Sequence, residues 1–472
     1  MFYIYINNYY HLNNTKLFIL ISLYPFLSNG QLVKNIELLD NWQDNSLLVN
    51  SSQVRYNDCW GFVMNDQEYA IAGSTQGMHF FGINGSNKLE HLDFVAGKYS
   101  SSMVIHRDIK VYGNYAYAVC DEGESSLQII NLSYLPDSVH LEAENDTTFA
   151  RVHNLFIDSA NALMYSCLIT PKVSGTLQSP KSMEVFSLSD PLNPTLVYSG
   201  PNDIPEVHDA FVSNNIAYLN CGFDGLRVYD FSNPANPVFL QNLNLYQDQG
   251  YNHQGWLSPD GTRYIFGDET NGKQLKNCTV NNTDQIVINN RFGTNYINSS
   301  VPHNIMISND FAYVAYYNEG LRIYDIREAV PKEIAHYDTY PEDSPFKMEG
   351  AWGIYSELPS GRLLVSDRQN GLFLLNFRED IFMHQATSEY ELFPNPILRG
   401  SKITVKLNSD GVNNFSIRLF SVTGQLVHSK EFNNQTFAEL IINQSSGIYI
   451  MQIAHTDYLG DEIIETRKII VQ

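Results

Sequence analysis

One short cluster recurs seven times along the chain, and its spacing restricts the fold more than any other feature. It begins with tryptophan or histidine and turns apolar within two or three residues. The copies are Trp60-Gly61-Phe62-Val63, His106-Arg107-Asp108-Ile109, His153-Asn154-Leu155-Phe156, His208-Asp209-Ala210-Phe211, His253-Gln254-Gly255-Trp256, His303-Asn304-Ile305-Met306 and Trp352-Gly353-Ile354-Tyr355. Their first residues lie 46, 47, 55, 45, 50 and 49 positions apart. A repeat of about 40 to 50 residues is the length of one four-stranded propeller blade, so seven units predict a seven-bladed β-propeller.

The inside of each unit supports strands. Ile216-Ala217-Tyr218-Leu219, Phe311-Ala312-Tyr313-Val314 and Arg362-Leu363-Leu364-Val365 follow polar turns and read as second strands. Third strands follow an acidic or amide residue and glycine, at Asp224-Gly225-Leu226-Arg227-Val228-Tyr229-Asp230, Glu319-Gly320-Leu321-Arg322-Ile323-Tyr324-Asp325 and Asn370-Gly371-Leu372-Phe373-Leu374. Such pairs mark turns that need positive φ. The fourth strand follows a proline elbow, as at Asp190-Pro191-Leu192-Asn193-Pro194 and Asn233-Pro234-Ala235-Asn236-Pro237. Only three strands are visible after Trp352. A last blade left open would expose an unpaired edge, so the segment Leu32–Leu39 is expected to supply its fourth strand.

Composition narrows the function. The chain has 472 residues with 30 Tyr and 26 Phe against 4 Trp, a usage that favours strands. Its formal charge of −22, from 51 acidic and 29 basic residues, argues against nucleic acid as a partner. The five cysteines, Cys59, Cys120, Cys167, Cys221 and Cys278, form no CxxC pair and imply neither a disulfide framework nor a zinc ribbon. Three of them, Cys120, Cys167 and Cys221, end similar strands and read as small buried apolar residues. Near the amino end, Lys16 precedes an apolar run from Leu17 to Leu27 that is too short to span a bilayer. With Ser28-Asn29-Gly30 after it, the run has the form of a signal peptide behind an unusual polar extension, Met1–Asn14. No other segment reads as transmembrane.

The third-strand sequences Gly-Leu-Arg-Val-Tyr-Asp and Gly-Leu-Arg-Ile-Tyr-Asp resemble the LVIVD repeat of secreted bacterial propellers. Asn252-His253-Gln254-Gly255-Trp256-Leu257, with Gly267-Asp268-Glu269 after it, resembles the signature of the choice-of-anchor B family. That resemblance covers about residues 55–380 and brings no activity with it. The tail carries Leu392-Phe393-Pro394-Asn395-Pro396, Ile417-Arg418-Leu419-Phe420-Ser421-Val422-Thr423-Gly424-Gln425, Ser446-Gly447-Ile448-Tyr449-Ile450 and Arg467-Lys468-Ile469-Ile470-Val471-Gln472. It resembles the type A sorting domain of the type IX (Por) secretion system of Bacteroidetes. The resemblance implies a small Ig-like β-sandwich handled by that machinery at the outer membrane, and a chain displayed there or released. The expected organisation is a signal peptide with its extension over residues 1–30, a propeller over 31–380, a linker over 381–391 and a sorting domain over 392–472.

The candidate chemistry sits in the repeat. Five histidines, His106, His153, His208, His253 and His303, hold one position in successive units, with Trp60 and Trp352 at the matching place in the first and last. Equivalent blade positions fall on one ring, so these side chains are expected to share a layer around the axis. A divalent metal held by His208, His253 and Asp209 is one reading, with Asp108, Glu206, Asp268, Glu269 and Glu349 near in sequence, and it would allow a metal-dependent hydrolase or lyase. The weightier reading is structural, because duplication copies a blade-bridging histidine into every unit. Trp60, Trp256 and Trp352 read as core packing before a sugar platform. No GxSxG, HExxH, P-loop or GxGxxG motif occurs in a fitting context. The expected function is therefore a secreted or cell-surface, non-catalytic binding scaffold for a protein or glycan, requiring no cofactor.

Overall fold

The computed structural model describes residues 33–281, 285–294, 300–341, 348–379, 390–407, 414–433, 435, 437–456 and 462–472. The signal-peptide segment and nearly all of the linker lie outside them. Among the described residues, no helix is long and apolar enough to cross a membrane.

Seven antiparallel sheets surround one axis: five are four-stranded up-and-down meanders, and the sixth and seventh each take a further strand from the amino end. Their innermost strands are Tyr56–Met64, Arg107–Tyr112, Asn154–Asp158, Asp209–Ser213, Asn252–Leu257, Ile305–Ser308 and Ala351–Tyr355. Each neighbours the next, and Ala351–Tyr355 returns to Tyr56–Met64, so the sheets form a closed β-propeller ring. Burial declines outward. In the fourth sheet, Leu226–Asp230 is buried along almost its whole length, whereas the outer strand Val238–Leu243 is exposed or half-buried.

The last sheet is completed from the other end of the chain. Ile36–Trp42 pairs antiparallel with Gly371–Phe377, from Ile36 opposite Phe377 to Trp42 opposite Leu372. It starts a few residues later than Leu32–Leu39, because Val33–Lys34 instead extends the sixth sheet beside Lys332–Tyr337. Ile36 joins a core with Phe81 and Ile83 of the first sheet, Tyr313 and Ile323 of the sixth, and Leu364 and Leu374 of the seventh. Apolar packing thus runs across the closure.

All seven outer pairs carry a register shift at a comparable place, the closing strand included. A bulge adds local twist, which a sheet fanning out from an axis needs most at its rim. The glycines that open the third strands have a related cause. Gly225, Gly320 and Gly371 have φ of 80°, 71° and 88°. A Cβ there would lie 2.1, 2.2 and 2.0 Å from the carbonyl oxygens of Leu243, Tyr337 and Trp42 on the outer strands. Both the turn and the close approach demand glycine.

The tail forms two further sheets. One orders Tyr390–Phe393, Lys402–Leu407 and Phe437–Ile441; the other orders Leu426–Asn433, Asn414–Ser421, Gly447–Thr456 and Glu462–Val471. Ile403, Val405 and Leu440 of the first pack with Ile417, Leu419, Met451 and Ile469 of the second in one buried core.

Candidate functional site

Five of the repeated histidines converge. Ring centres are 4.9 Å apart for His106 and His153, 4.4 Å for His153 and His208, 4.2 Å for His208 and His253, and 4.3 Å for His253 and His303. Trp352 closes the belt, 4.0 Å from His303 and 5.3 Å from His106. The belt leaves a gap of about 20 Å³ around the axis, room for one water or one ion.

Hydrogen bonds divide the belt into two arcs. His208 Nδ1 donates to the His253 carbonyl at 2.9 Å, and His303 Nδ1 donates to the Trp352 carbonyl at 2.8 Å. A carbonyl can only accept, so both rings are Nδ1–H tautomers with a lone pair on Nε2. The matching contact of His253 with the His303 backbone leaves its Nδ1 without a full hydrogen bond. Burial pushes His253 down to about 4, and His208 and His303 well below the usual imidazole range. This arc is neutral.

The other arc is charged. His153 Nε2 lies 2.8 Å from His208 Nε2, which accepts, and His153 Nδ1 lies 2.5 Å from Asp121 Oδ2. His153 therefore donates from both nitrogens. His106 Nδ1 sits 2.6 Å from Glu122 and 3.4 Å from Asp121. Burial alone would lower His106, but its hydrogen bonds to Asp121 and Glu122 prevail and hold it up at about 9. Partial burial would raise Asp121, yet the two histidines keep its carboxyl well below the usual range.

Trp60 does not share this layer. It lines an adjoining chamber of about 30 Å³ with Phe156, Trp256 and Met306, and Lys110 Nζ lies 4.6 Å above its ring. Asp209 also faces this chamber, so the set His208, His253 and Asp209 is not brought together. Asp209 lies one step further along the chain than His208, in the layer where Asn154, Gln254 and Asn304 line this next chamber. Burial raises Asp209 to about 8 and Asp58 well above its usual range, while Lys110 pairs with Asp108. Of the other acids near in sequence, Asp268 is buried in a 2.7 Å ion pair with Lys276, Glu206 bonds Tyr251, and Glu269 alone reaches the histidines.

The comparisons with known proteins bear on the repeat and the tail. A family model described as the LVIVD repeat matches residues 106–133, 206–244 and 302–339. The Secretion system C-terminal sorting domain matches residues 391–472. This chain carries LVIVD repeats and a C-terminal sorting domain. The three LVIVD matches begin at or just before His106, His208 and His303, so three of the five belt histidines lie at the start of a matched repeat. The sorting domain implies handling by the type IX secretion machinery and export to the cell surface or the extracellular space.

No curated protein matches the chain. Among solved structures, a periplasmic gluconolactonase of Pseudomonas aeruginosa, PpgL, is similar at 14% identity and TM-score 0.47, over 66% of this chain and 98% of that one. A Lactobacillus plantarum protein is similar at 14% and 0.48, over 82% and 99%. The Cps50 (Swd1) β-propeller domain of Myceliophteria thermophila is similar at 11% and 0.47, over 70% and 99%.

Sequence reasoning missed Asp121 and Glu122. A signal existed: Asp121 and Glu269 each directly follow the second strand of their sheet, Tyr115–Cys120 and Arg263–Asp268. Aligning strand ends, besides strand starts, would have paired them. It also missed an open cleft beside the closing strand, about 420 Å³, lined by Trp42, Asp44, Gln76, His79, His91 and Phe94. There Trp42 and His91 lie parallel within 5°, 5.7 Å apart.

Proposed function

We propose that the chain is an exported, non-catalytic binding scaffold, cleaved after about residue 30, with a propeller over residues 31–380 and an Ig-like sorting domain over 392–472. The observation that carries the non-catalytic reading is the closure of the belt. Its imidazoles pack against one another at tilts of 42° to 59° around a gap of about 20 Å³, so no substrate carbon reaches them. A hydrolase or lyase working through these histidines has no room for its substrate.

The Trp42 cleft is the better ligand site, because its size and aromatic lining suit a glycan. A glycan array with the purified secreted chain tests this, together with turnover assays on ester, lactone and glycoside substrates. Binding that is lost in both Trp42→Ala and Phe94→Ala, without turnover, is expected. Turnover abolished by His208→Ala would overturn the non-catalytic reading, and glycan binding indifferent to both aromatic substitutions would overturn the cleft.

A further inference from the structure

Two groups in the belt have the composition of a metal site: His106, Asp121 and His153, and His253, Glu269 and His303. In each, the ligand atoms all lie within 4.8 Å of one another. They differ in what already occupies those atoms.

The first group is saturated. Asp121 uses both oxygens on its histidines, His106 Nδ1 is held by Glu122, and His153 Nε2 by His208. A cation entering here would displace two protons and four polar contacts.

The second group is open. His303 has its proton fixed on Nδ1 by the Trp352 carbonyl, and its Nε2 lone pair is left over. Glu269 is oriented by the Tyr317 hydroxyl, which donates to Oε1, and its Oε2 lies 3.8 Å from His253 Nε2. That separation is too long for a hydrogen bond. It is close to the spacing of about 3.3 Å between two ligands of a tetrahedral ion with bonds of about 2.0 to 2.1 Å. The partners that orient the ligands are those of metal centres: a backbone carbonyl on the far nitrogen of a histidine, and a hydroxyl on the far oxygen of a carboxylate. The gap lined by His253 and His303 is ion-sized.

We propose that His253, Glu269 and His303 bind one divalent transition-metal ion, of the zinc or cobalt kind, on the neutral arc of the belt, with Tyr317 as the residue that positions Glu269. Two imidazoles and one carboxylate supply three ligands, and water completes the shell. The proposal goes beyond the scaffold reading and stands without it: a metal can be bound whether or not the Trp42 cleft takes a glycan.

The test uses the full secreted chain, stripped with chelator and titrated with Co²⁺ under absorption spectroscopy, then with Zn²⁺ in competition. One equivalent is expected, with the visible bands of a four- or five-coordinate cobalt site. Glu269→Gln and His303→Gln should abolish those bands, and Tyr317→Phe, which keeps the ring, should weaken affinity about 10-fold or more. Asp121→Asn should retain them. The proposal is overturned if no cobalt binds at micromolar concentration, if folded Glu269→Gln or Tyr317→Phe binds as tightly as the parent, or if Asp121→Asn alone abolishes binding. None of these outcomes touches the glycan-array result.

Discussion

Replacing His106 by glutamine should change how stability depends on pH, in a window that the structure defines. The His106 side chain is only 26% exposed and is held by Asp121 and Glu122, which raise it to about 9. In the unfolded chain it titrates near 6.5. A folded-state value above the unfolded one means that the contribution is complete below pH 6.5 and is lost as pH rises through 9. The difference of roughly 2.5 units, at about 1.36 kcal/mol per unit, amounts to about 3 kcal/mol. Urea denaturation of parent and His106→Gln from pH 6 to 9.5 measures it. The gap between the curves should narrow by about 3 kcal/mol between pH 6.5 and 9. Asp121→Asn, which leaves Glu122 in place, should give an intermediate slope. If the two curves run parallel over that interval, the buried pairing of His106 with its carboxylates is wrong.

Other substitutions test neighbouring parts of the account. Trp352→Ala should cost about 3 to 5 kcal/mol by thermal or chemical denaturation, since Trp352 is 7% exposed and closes the belt. Its loss also removes the surface over which Arg368 sits at 4.6 Å. Gly353→Ala should cost about 1 to 3 kcal/mol, because the new Cβ would lie 2.1 Å from Asp58 Oδ1 and 3.0 Å from the Cys59 nitrogen. Deleting residues 391–472 should leave the protein inside the outer membrane, as fractionation and immunoblotting would show; an unchanged extracellular yield would contradict the sorting role.

The propeller was legible because its determinants are local and copied. A strand that begins with His or Trp, a glycine that must sit under an outer-strand carbonyl and a proline elbow each announce themselves in a few residues. The buried cysteines were legible for the same reason, and all five are buried and unpaired. The site was less so. Trp60 and His106 occupy matching places in the sequence pattern, yet Trp60 belongs to the next layer. Tyr56 pairs with Ser74 and Cys59 with Ala72, just as Ala351 pairs with Asp367 and Ile354 with Val365, so Asn57 rather than Trp60 stands where Trp352 does. Asp209 was misplaced for a simpler reason, since the residue after each belt histidine belongs to the next layer, with Asn154, Gln254 and Asn304. The division into charged and neutral arcs could not be read from five equivalent histidines. It depends on how Asp121 and Glu122 pair with His106 and His153, and on which carbonyl each Nδ1 meets.

Long-range ¹H–¹⁵N correlation of histidine-labelled protein at pH 7.5 tests that division most directly. The account predicts His106 as an imidazolium ring, and His208 and His303 as neutral rings protonated at Nδ1. Five rings titrating together near pH 6.5, with no fixed tautomer, would contradict it.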